Sequence, residues 1–257
     1  MSFQLRREEI LDGEQLKAML EESPARAAQA ILIASTEGVL DAQALLGQIL
    51  LDGQGIAQDQ PLAVRWFEIA AKRGHLMARN MLGRCHEQGW GCVSDASIAA
   101  RHYRQAAEAG LDWAMYNYAN LLATGRGVIK DQVQALTLYR RAAELGHAKS
   151  MNLLGRYLEE GLGCSVDSIA AHDWYRRSAE AGDFRGQFSY ASILIDQKRI
   201  EESLAWYRRA MLGGNLAFLK VATQALMSAT DPRVQALAEE YQQRSKLLSN
   251  SLNVPVA

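Results

Sequence analysis

The chain has 257 residues, of which 49% are hydrophobic and 22% charged, and its formal net charge at pH 7 is −1. This near-neutral balance provides no overall attraction for nucleic acid or for an anionic membrane surface, so neither is expected as a partner. The hydrophobic content is sufficient for a packed core, and four prolines and 20 glycines do not make a disordered composition.

The N-terminal segment carries charges of both signs and has no apolar run of the length found in secretory signal peptides. No stretch of the chain approaches the roughly 18 apolar residues expected of a membrane-spanning helix. The three cysteines are an odd number and too few for a disulfide framework, which is typical of a reducing compartment. A cytoplasmic location is therefore expected.

Residues 1–40 are predicted to form N-terminal capping helices. One is expected around Gly13 to Glu21, and a second is expected to end near Gly38, which stands 36 residues before the first of four glycines in the same column. Residues 41–214 then repeat with a period of 36 residues, and such a period is the sequence signature of a repeat array.

The period is clearest in two columns of glycine and one of aspartate. They consist of Gly53, Gly89, Gly125 and Gly161, of Gly55, Gly91, Gly127 and Gly163, and of Asp59, Asp95, Asp131 and Asp167. The glycine pair recurs four times, so it is interpreted as a turn and not as a phosphate-binding loop. A fifth repeat lacks the pair and is four residues shorter, since Trp206-Tyr207 follows Trp174-Tyr175 by 32 residues.

Each repeat is predicted to form two helices. In the second repeat the span Leu76–Gln88 has helical periodicity on one face, at Ala78, Met81, Leu82 and Cys85. Its second helix is expected from about Asp95 to Glu108, with Asp95 as the N-cap. One such hairpin cannot bury its apolar face alone, so the repeats are expected to stack into an all-α solenoid.

The chain is predicted to end with two further helices in residues 215–248, followed by a frayed tail in residues 249–257. The first of these helices is expected from Asn215 to Ser228 and the second from Asp231 to Leu248. Asp231 and Pro232 are typical of an N-cap and the first helical position after it.

The repeat columns resemble the Sel-one-like repeat family, a relative of the tetratricopeptide repeats. The fourth repeat shows the pattern best, with Ser150, Leu154-Gly155, Tyr157, Gly161, Gly163, Asp167, Ala171, Trp174-Tyr175, Ala179 and Gly182. The resemblance covers about Asp41 to Gly214. It implies a right-handed α/α superhelix in which the first helices line a concave groove, and it is highly specific for the fold but only weakly specific for function.

The sequence contains no phosphate-binding G-x-x-x-x-G-K-[ST], no G-x-G-x-x-G, no H-E-x-x-H and no G-x-S-x-G. Cys85, His86 and Cys92 are close in sequence, but both cysteines occupy columns that are expected to be core. A zinc site needs about four convergent ligands. We therefore predict no metal, no cofactor, no catalytic residue and no enzymatic activity.

The resemblance also implies which side chains face the groove, at a spacing of i, i+3, i+7 and i+10 in each first helix, and these positions do share one helix face. An asparagine amide can hold a peptide backbone, an arginine can bind a carboxylate with two hydrogen bonds, and aromatic residues are typical interface anchors. The candidate partner-binding residues are Asn80, Arg84, Trp113, Tyr116, Asn120, Lys149, Asn152, Arg156, Arg185 and Phe188.

The predicted function is a non-catalytic adaptor or scaffold, monomeric or weakly dimeric, that holds a peptide segment or partner protein in its groove. One alternative is an enzyme or small-molecule receptor with a pocket formed by Trp113, Tyr116, Asn152 and Arg156. Another is self-association through the groove or the C-terminal helix.

The candidate residues also have purely structural interpretations. The charged ones could form i, i+3 surface ion pairs, Arg84 with Glu87 and Arg156 with Glu159, worth a few tenths of a kcal/mol each. The aromatic side chains of Trp113 and Phe188 could pack between neighbouring repeats.

Overall fold

The computed structural model describes residues 22–252, and this part of the chain is all-α, with thirteen helices paired into helix-turn-helix repeats. The helices are α1 (Pro24–Thr36), α2 (Leu40–Asp52), α3 (Gln60–Lys72), α4 (Leu76–Gln88), α5 (Ala96–Glu108), α6 (Asp112–Thr124), α7 (Gln132–Glu144), α8 (Ala148–Glu160), α9 (Ser168–Glu180), α10 (Phe184–Asp196), α11 (Ile200–Gly213), α12 (Leu216–Met227) and α13 (Pro232–Leu252). The predicted solenoid class is confirmed. The helix expected around Gly13 to Glu21 lies outside the described residues.

The helices belong to two compact units, the first ending at Lys130 and the second beginning at Asp131. In the first unit, α2 to α6 each pack against the preceding helix, and the first helices of successive repeats, α2 with α4 and α4 with α6, also touch. In the second unit α8 contacts α10 in the same way. These contacts between first helices bring the candidate residues of neighbouring repeats together within each unit.

The aspartate column starts the second helix of each full repeat. Asp95 is the N-cap of α5, and its Oδ1 accepts hydrogen bonds from the backbone N–H groups of Ser97 and Ile98 at 2.7 and 3.0 Å. The corresponding caps are made by Asp59, Asp131 and Asp167. The predicted N-cap is therefore confirmed, because a carboxylate there satisfies N–H groups that have no partner within the helix.

The glycine pair has two different roles in the linker. The first glycine, such as Gly89 with a φ of 76°, ends the first helix in the left-handed conformation. The second, such as Gly91 with a φ of 68°, lies against the start of α3 in the preceding repeat. A Cβ atom at Gly91 would come within 2.2 Å of the carbonyl oxygen of Gln60. The pair is therefore a turn, as predicted, and also a packing contact between repeats.

The columns of small residues allow close helix packing. A Cβ atom at Gly83 in α4 would lie 2.4 Å from the ring of Tyr103 in α5, and that ring is fully buried. Phe67 lies in the same way against Gly47, and Tyr175 against Gly155. Each aromatic ring therefore fills space that a missing side chain leaves, which is how the two helices of a repeat reach native packing density.

The fifth repeat turns without the glycine pair. Only residues 197–199 connect α10 to α11, and Lys198 adopts a φ of 61°, the only positive φ of a non-glycine residue in the described part of the chain. The last helix, α13, continues to Leu252, four residues beyond the predicted end. The expected tail is therefore wrong for residues 249–252. Leu248, near the end of this helix, packs against a buried cluster formed by α10 to α13.

Candidate functional site

The two asparagines expected to hold a peptide backbone are buried instead. Asn80 is 2% exposed and Asn152 is 8% exposed. The Oδ1 atom of Asn80 accepts a hydrogen bond from Nδ2 of Asn117 at 2.9 Å, and that of Asn152 accepts one from Oγ of Ser189 at 3.2 Å. Both donors lie 37 residues further along the chain. The expectation of a peptide clamp is therefore corrected: these amides join the first helices of neighbouring repeats.

Phe188 is half-buried and packs against the core cluster of the second unit. Its ring centroid lies 4.8 Å from that of Tyr207, 5.7 Å from Phe218 and 6.4 Å from Tyr241, in edge-to-face arrangements. Such geometry is favourable for aromatic pairs. The structural interpretation, in which Phe188 packs between helices, is the one observed.

Neither of the i, i+3 ion pairs considered as an alternative role for Arg84 and Arg156 forms in the structure. Arg156 bonds instead to Glu160, with an Nε to Oε1 distance of 2.8 Å, and the carboxylate of Glu159 accepts the hydroxyl of Tyr175 at 2.7 Å. The corresponding Glu87 accepts the hydroxyl of Tyr103, also at 2.7 Å, and is paired with Arg126. The ordinary tyrosine pKa of Tyr103 is raised by burial and by this hydrogen bond. Tyr103 and Tyr175 thus bind the two glutamates that stand three residues after Arg84 and Arg156.

Arg84 lines a cleft in the first unit. Its guanidinium lies 5.1 Å from the centroid of the Trp90 ring, and its Nη1 is 3.7 Å from the sulfur of Met81. Among the described residues no carboxylate forms an ion pair with it. The cleft has a volume of about 340 Å³ and is lined by residues of α2, α4, the two linkers and the start of α3, namely Gln48, Leu51, Asp52, Gln58, Gln60, Met81, Arg84 and Trp90.

Trp113 and Tyr116 lie one turn apart on α6. The indole of Trp113 is 40% exposed, and the Tyr116 ring meets it edge-on at a centroid distance of 6.4 Å. A large aromatic side chain with this exposure offers apolar area to a partner. Asn120 follows on the same helix and is half-buried.

The candidates in the second unit form a more polar set. Lys149 is half-buried, and Arg185 is exposed with its guanidinium 4.6 Å from the centroid of the Phe184 ring. Arg156 is tied to Glu160, as described above. The proposed small-molecule pocket draws on residues of both units, with Trp113 and Tyr116 in the first and Asn152 and Arg156 in the second.

A cluster of histidine and cysteine lies beside the second linker. The rings of His86 and His102 stack with centroids 5.7 Å apart, and Sγ of Cys92 is 3.6 Å from Nδ1 of His86. Burial and the neighbouring His86, Arg79 and Arg101 lower the pKa of His102 to about 4. Burial raises the pKa of the Cys85 thiol to about 12, so it is unreactive as a nucleophile. Within residues 22–250 no group of three or more His, Cys, Asp or Glu side chains could hold a metal ion.

Trp90 is the important residue that sequence reasoning missed. It lies between the two glycines of the second linker, at a position occupied by Gln54, Arg126 and Leu162 in the other repeats. A tryptophan at a position that is not conserved in type among the repeats was the feature of the sequence that could have pointed to this residue. The repeat columns identify only the fold.

These features define an α-solenoid protein built from paired helices, whose first unit carries a cleft and a partly exposed aromatic pair. The Sel1 repeat family model matches residues 40–75, 76–111, 114–147, 148–183 and 195–215. The chain therefore belongs to the Sel1 repeat family, with five repeats. No curated protein sequence matches the chain significantly.

Solved structures show the same fold. A Sel1 repeat protein from Oxalobacter formigenes matches with a TM-score of 0.77 and 24% identity, over 92% of this chain and 99% of that one. A protective antigen of uropathogenic Escherichia coli with an SLR fold matches with a TM-score of 0.66 and 24% identity, over 90% of this chain and 52% of that one. An immunity protein from Pseudomonas aeruginosa matches with a TM-score of 0.55 and 16% identity, over 82% of each chain.

The helices are too short or too polar to cross a bilayer throughout the described part of the chain.

Proposed function

We propose that the protein is a non-catalytic adaptor that holds a partner protein against the first helices of its repeats. The observation that carries the proposal is the pair of aromatic rings on α6, with Trp113 40% exposed and Tyr116 beside it. Tryptophan and tyrosine are enriched among the residues that contribute most to binding energy at protein interfaces. A side chain of this size otherwise gains free energy by being buried within its own chain.

Each unit also carries charged candidates of its own, Arg84 in the first unit and Arg185 in the second. Arg84 and Arg185 each stack on an aromatic ring and keep the guanidinium exposed, which holds it in position for a partner's carboxylate. We retain Tyr116, Asn120 and Lys149 as further contacts. Asn80, Asn152 and Phe188 are assigned to the packing of the repeats and not to binding.

One structural neighbour is described as an immunity protein, and at 16% identity that likeness supports the fold alone. All three cysteines lie within the described residues and none is in a disulfide, which fits a reducing compartment and a cytoplasmic protein. We propose a monomer or weak homodimer in the absence of the partner.

The proposal is tested by affinity capture from the native cell, with the wild type and Trp113→Ala in parallel. Each captured protein is then purified and titrated against both. Loss of a central aromatic anchor typically costs 2 kcal/mol or more, so the dissociation constant is expected to rise by at least about 30-fold. Ile129→Ala is the matched control. Ile129 is a 90% exposed apolar residue of the same unit, but it lies in a linker and not on a first helix.

An unchanged affinity of Trp113→Ala for every captured protein would rule out this surface. Light scattering on the purified wild type tests self-association, and a small molecule retained in native mass spectrometry would favour the receptor alternative. Far-UV circular dichroism of the variant confirms that its helices are intact.

A further inference from the structure

The guanidinium of Arg84 is exposed, stacked on an aromatic ring and not bound to a carboxylate of the described residues. It is exposed on α4, it lies over the Trp90 ring, and it donates a hydrogen bond to the sulfur of Met81, a weak acceptor. No ion pair joins it to a carboxylate anywhere in residues 22–250. Stacking on an aromatic face orients a guanidinium while its edge keeps the N–H groups that bind a carboxylate with two parallel hydrogen bonds.

The cleft under Arg84 combines an apolar floor with a polar rim. Leu51 and Met81 are buried and Trp90 is half-buried, and all three line the cleft. The rim carries the amides of Gln48, Gln58 and Gln60 and the carboxylate of Asp52. A volume of about 340 Å³ is at the lower end of the roughly 300–1,000 Å³ of ligand pockets, which suits one or two side chains and not a whole helix.

Asp52 is the one acidic group in this lining. Its Oδ2 accepts a hydrogen bond from Nε2 of Gln48 at 2.7 Å, and it forms no ion pair with Arg84. An incoming carboxylate is therefore attracted by Arg84 and repelled by Asp52, while an incoming amine meets the opposite pair of forces. The direct bidentate geometry at the guanidinium favours the carboxylate.

We propose that this cleft binds an extended peptide segment of the partner, with an aspartate or glutamate side chain on Arg84. A neighbouring large apolar side chain lies on the floor formed by Leu51, Met81 and Trp90. The inference rests on the proposed adaptor function and specifies the chemistry of the segment that is bound. It assigns Arg84 and Trp90 to selectivity, whereas Trp113 contributes apolar contact area elsewhere on the first unit.

The test is a selection from a phage-displayed library of random dodecapeptides against the immobilised full chain and against Arg84→Gln. Peptides that bind the wild type are expected to be enriched in an acidic residue next to Leu, Met or Phe, and this enrichment is expected to vanish with Arg84→Gln. Arg65→Gln is the matched control, because Arg65 is exposed in the same unit on a second helix and does not line the cleft.

The best selected peptide is then synthesised with a fluorescent label and titrated by anisotropy. Replacing its acidic residue by the corresponding amide, or Arg84 by glutamine, is expected to weaken binding about tenfold, the loss typical of one charge-assisted pair. Arg84→Lys retains the charge without the planar guanidinium, and its affinity for the peptide is expected to lie between those of the wild type and Arg84→Gln. Asp52→Asn removes the repelling charge and is expected to strengthen binding about threefold.

Selected peptides without an acidic residue, equal selection by Arg84→Gln, or recognition of a free C-terminal carboxylate alone would overturn the proposal. So would a failure to select any peptide. None of these results would contradict the adaptor function itself. That function is tested separately, by whether Trp113→Ala loses a cellular partner that the wild type captures. Unchanged thermal unfolding of Arg84→Gln confirms that its fold is intact, as expected for an exposed side chain without an ion pair.

Discussion

Arg84 and Arg156 occupy the same column of the second and fourth repeats, yet they have different surroundings. Arg156 is bonded to Glu160, four residues further along α8, at 2.8 Å. Position 88, which corresponds to Glu160, is a glutamine, so Arg84 has no carboxylate at that distance and lies on Trp90 instead. The position that corresponds to Trp90 in the fourth repeat is Leu162.

The comparison shows that a repeat column fixes where a side chain lies and that its neighbours decide what the side chain can do. Both arginines are on the same face of a first helix, and both neighbouring glutamates, Glu87 and Glu159, are held by a tyrosine of the following helix. Two substitutions, at the fourth and sixth positions after the arginine, separate a surface ion pair from a candidate binding site.

The packing of the linkers differs between the same two repeats, and this gives the largest expected effect. A Cβ atom at Gly91 would lie 2.2 Å from the backbone of Gln60, whereas one at Gly163 would lie 2.9 Å from that of Gln132. Both glycines have a positive φ, so alanine is strained at either. We expect Gly91→Ala to lower the free energy of unfolding by about 3 kcal/mol or more and Gly163→Ala by about 2 kcal/mol.

Urea denaturation followed by far-UV circular dichroism measures both changes. Gly74→Ala serves as a control for backbone strain alone, because Gly74 also has a positive φ but has no atom near the position of a Cβ. Equal effects at all three positions would show that the approach between repeats contributes nothing to the difference.

A second expected difference between the two repeats is the response of the second repeat to acid. His102 occupies the column of Trp174, and burial beside His86 and two arginines lowers its pKa from 6.5 to about 4. The folded state therefore resists a proton that the unfolded state accepts. The contribution of His102 to the free energy of unfolding is therefore fully present above pH 6.5 and is lost as the pH falls towards 4.

We expect the fall from pH 7 to pH 5 to cost about 1–2 kcal/mol at His102, with an allowance for solvent screening of a partly exposed group. Urea midpoints at the two pH values measure it. His102→Leu places the residue of the third repeat, Leu138, at this position and is expected to remove most of the dependence. A variant that keeps the full dependence would assign the titration to another group.

The sequence was sufficient for what is local or periodic and insufficient for what crosses between repeats. The helix Leu76–Gln88 and the N-cap Asp95 follow from spacing and side-chain chemistry, and both are found as predicted. The roles of Asn80 and Asn152 could not be predicted, because each is bonded to a residue 37 positions away whose rotamer no pattern specifies. Both amides are buried and therefore do not face an open groove, and their burial depends on how neighbouring repeats pack.

The candidate site was partly predictable for the same reason. Arg84 was identified from its column, but the cleft depends on Trp90, which stands outside every column. The ion pair of Arg84 with Glu87, considered as an alternative, does not form, and the carboxylate of Glu87 is bound by the hydroxyl of Tyr103 and the guanidinium of Arg126. Competition among partners is a property of the assembled repeats and not of the spacing within one helix.

The comparison between the two arginines can itself be reversed by substitution, with the smallest expected effect on stability. Gln88→Glu places a carboxylate four residues after Arg84, as Glu160 is placed after Arg156. The new pair is worth about 0.2–0.5 kcal/mol, and the negative charge near the C-terminus of α4 offsets part of it. The free energy of unfolding should therefore stay within about 0.5 kcal/mol of the wild type.

Binding should change more than stability, because a carboxylate supplied within α4 occupies the guanidinium that the peptide needs. We expect the selected acidic peptide to bind Gln88→Glu about threefold to tenfold more weakly, and the difference to shrink in high salt, where an exposed ion pair is screened. The converse variant, Glu160→Gln with Leu162→Trp, gives Arg156 the surroundings of Arg84. If anisotropy titrations show no loss in the first variant and no gain in the second, then the neighbours of the arginine do not determine its availability, and the explanation of the difference between the two repeats is wrong.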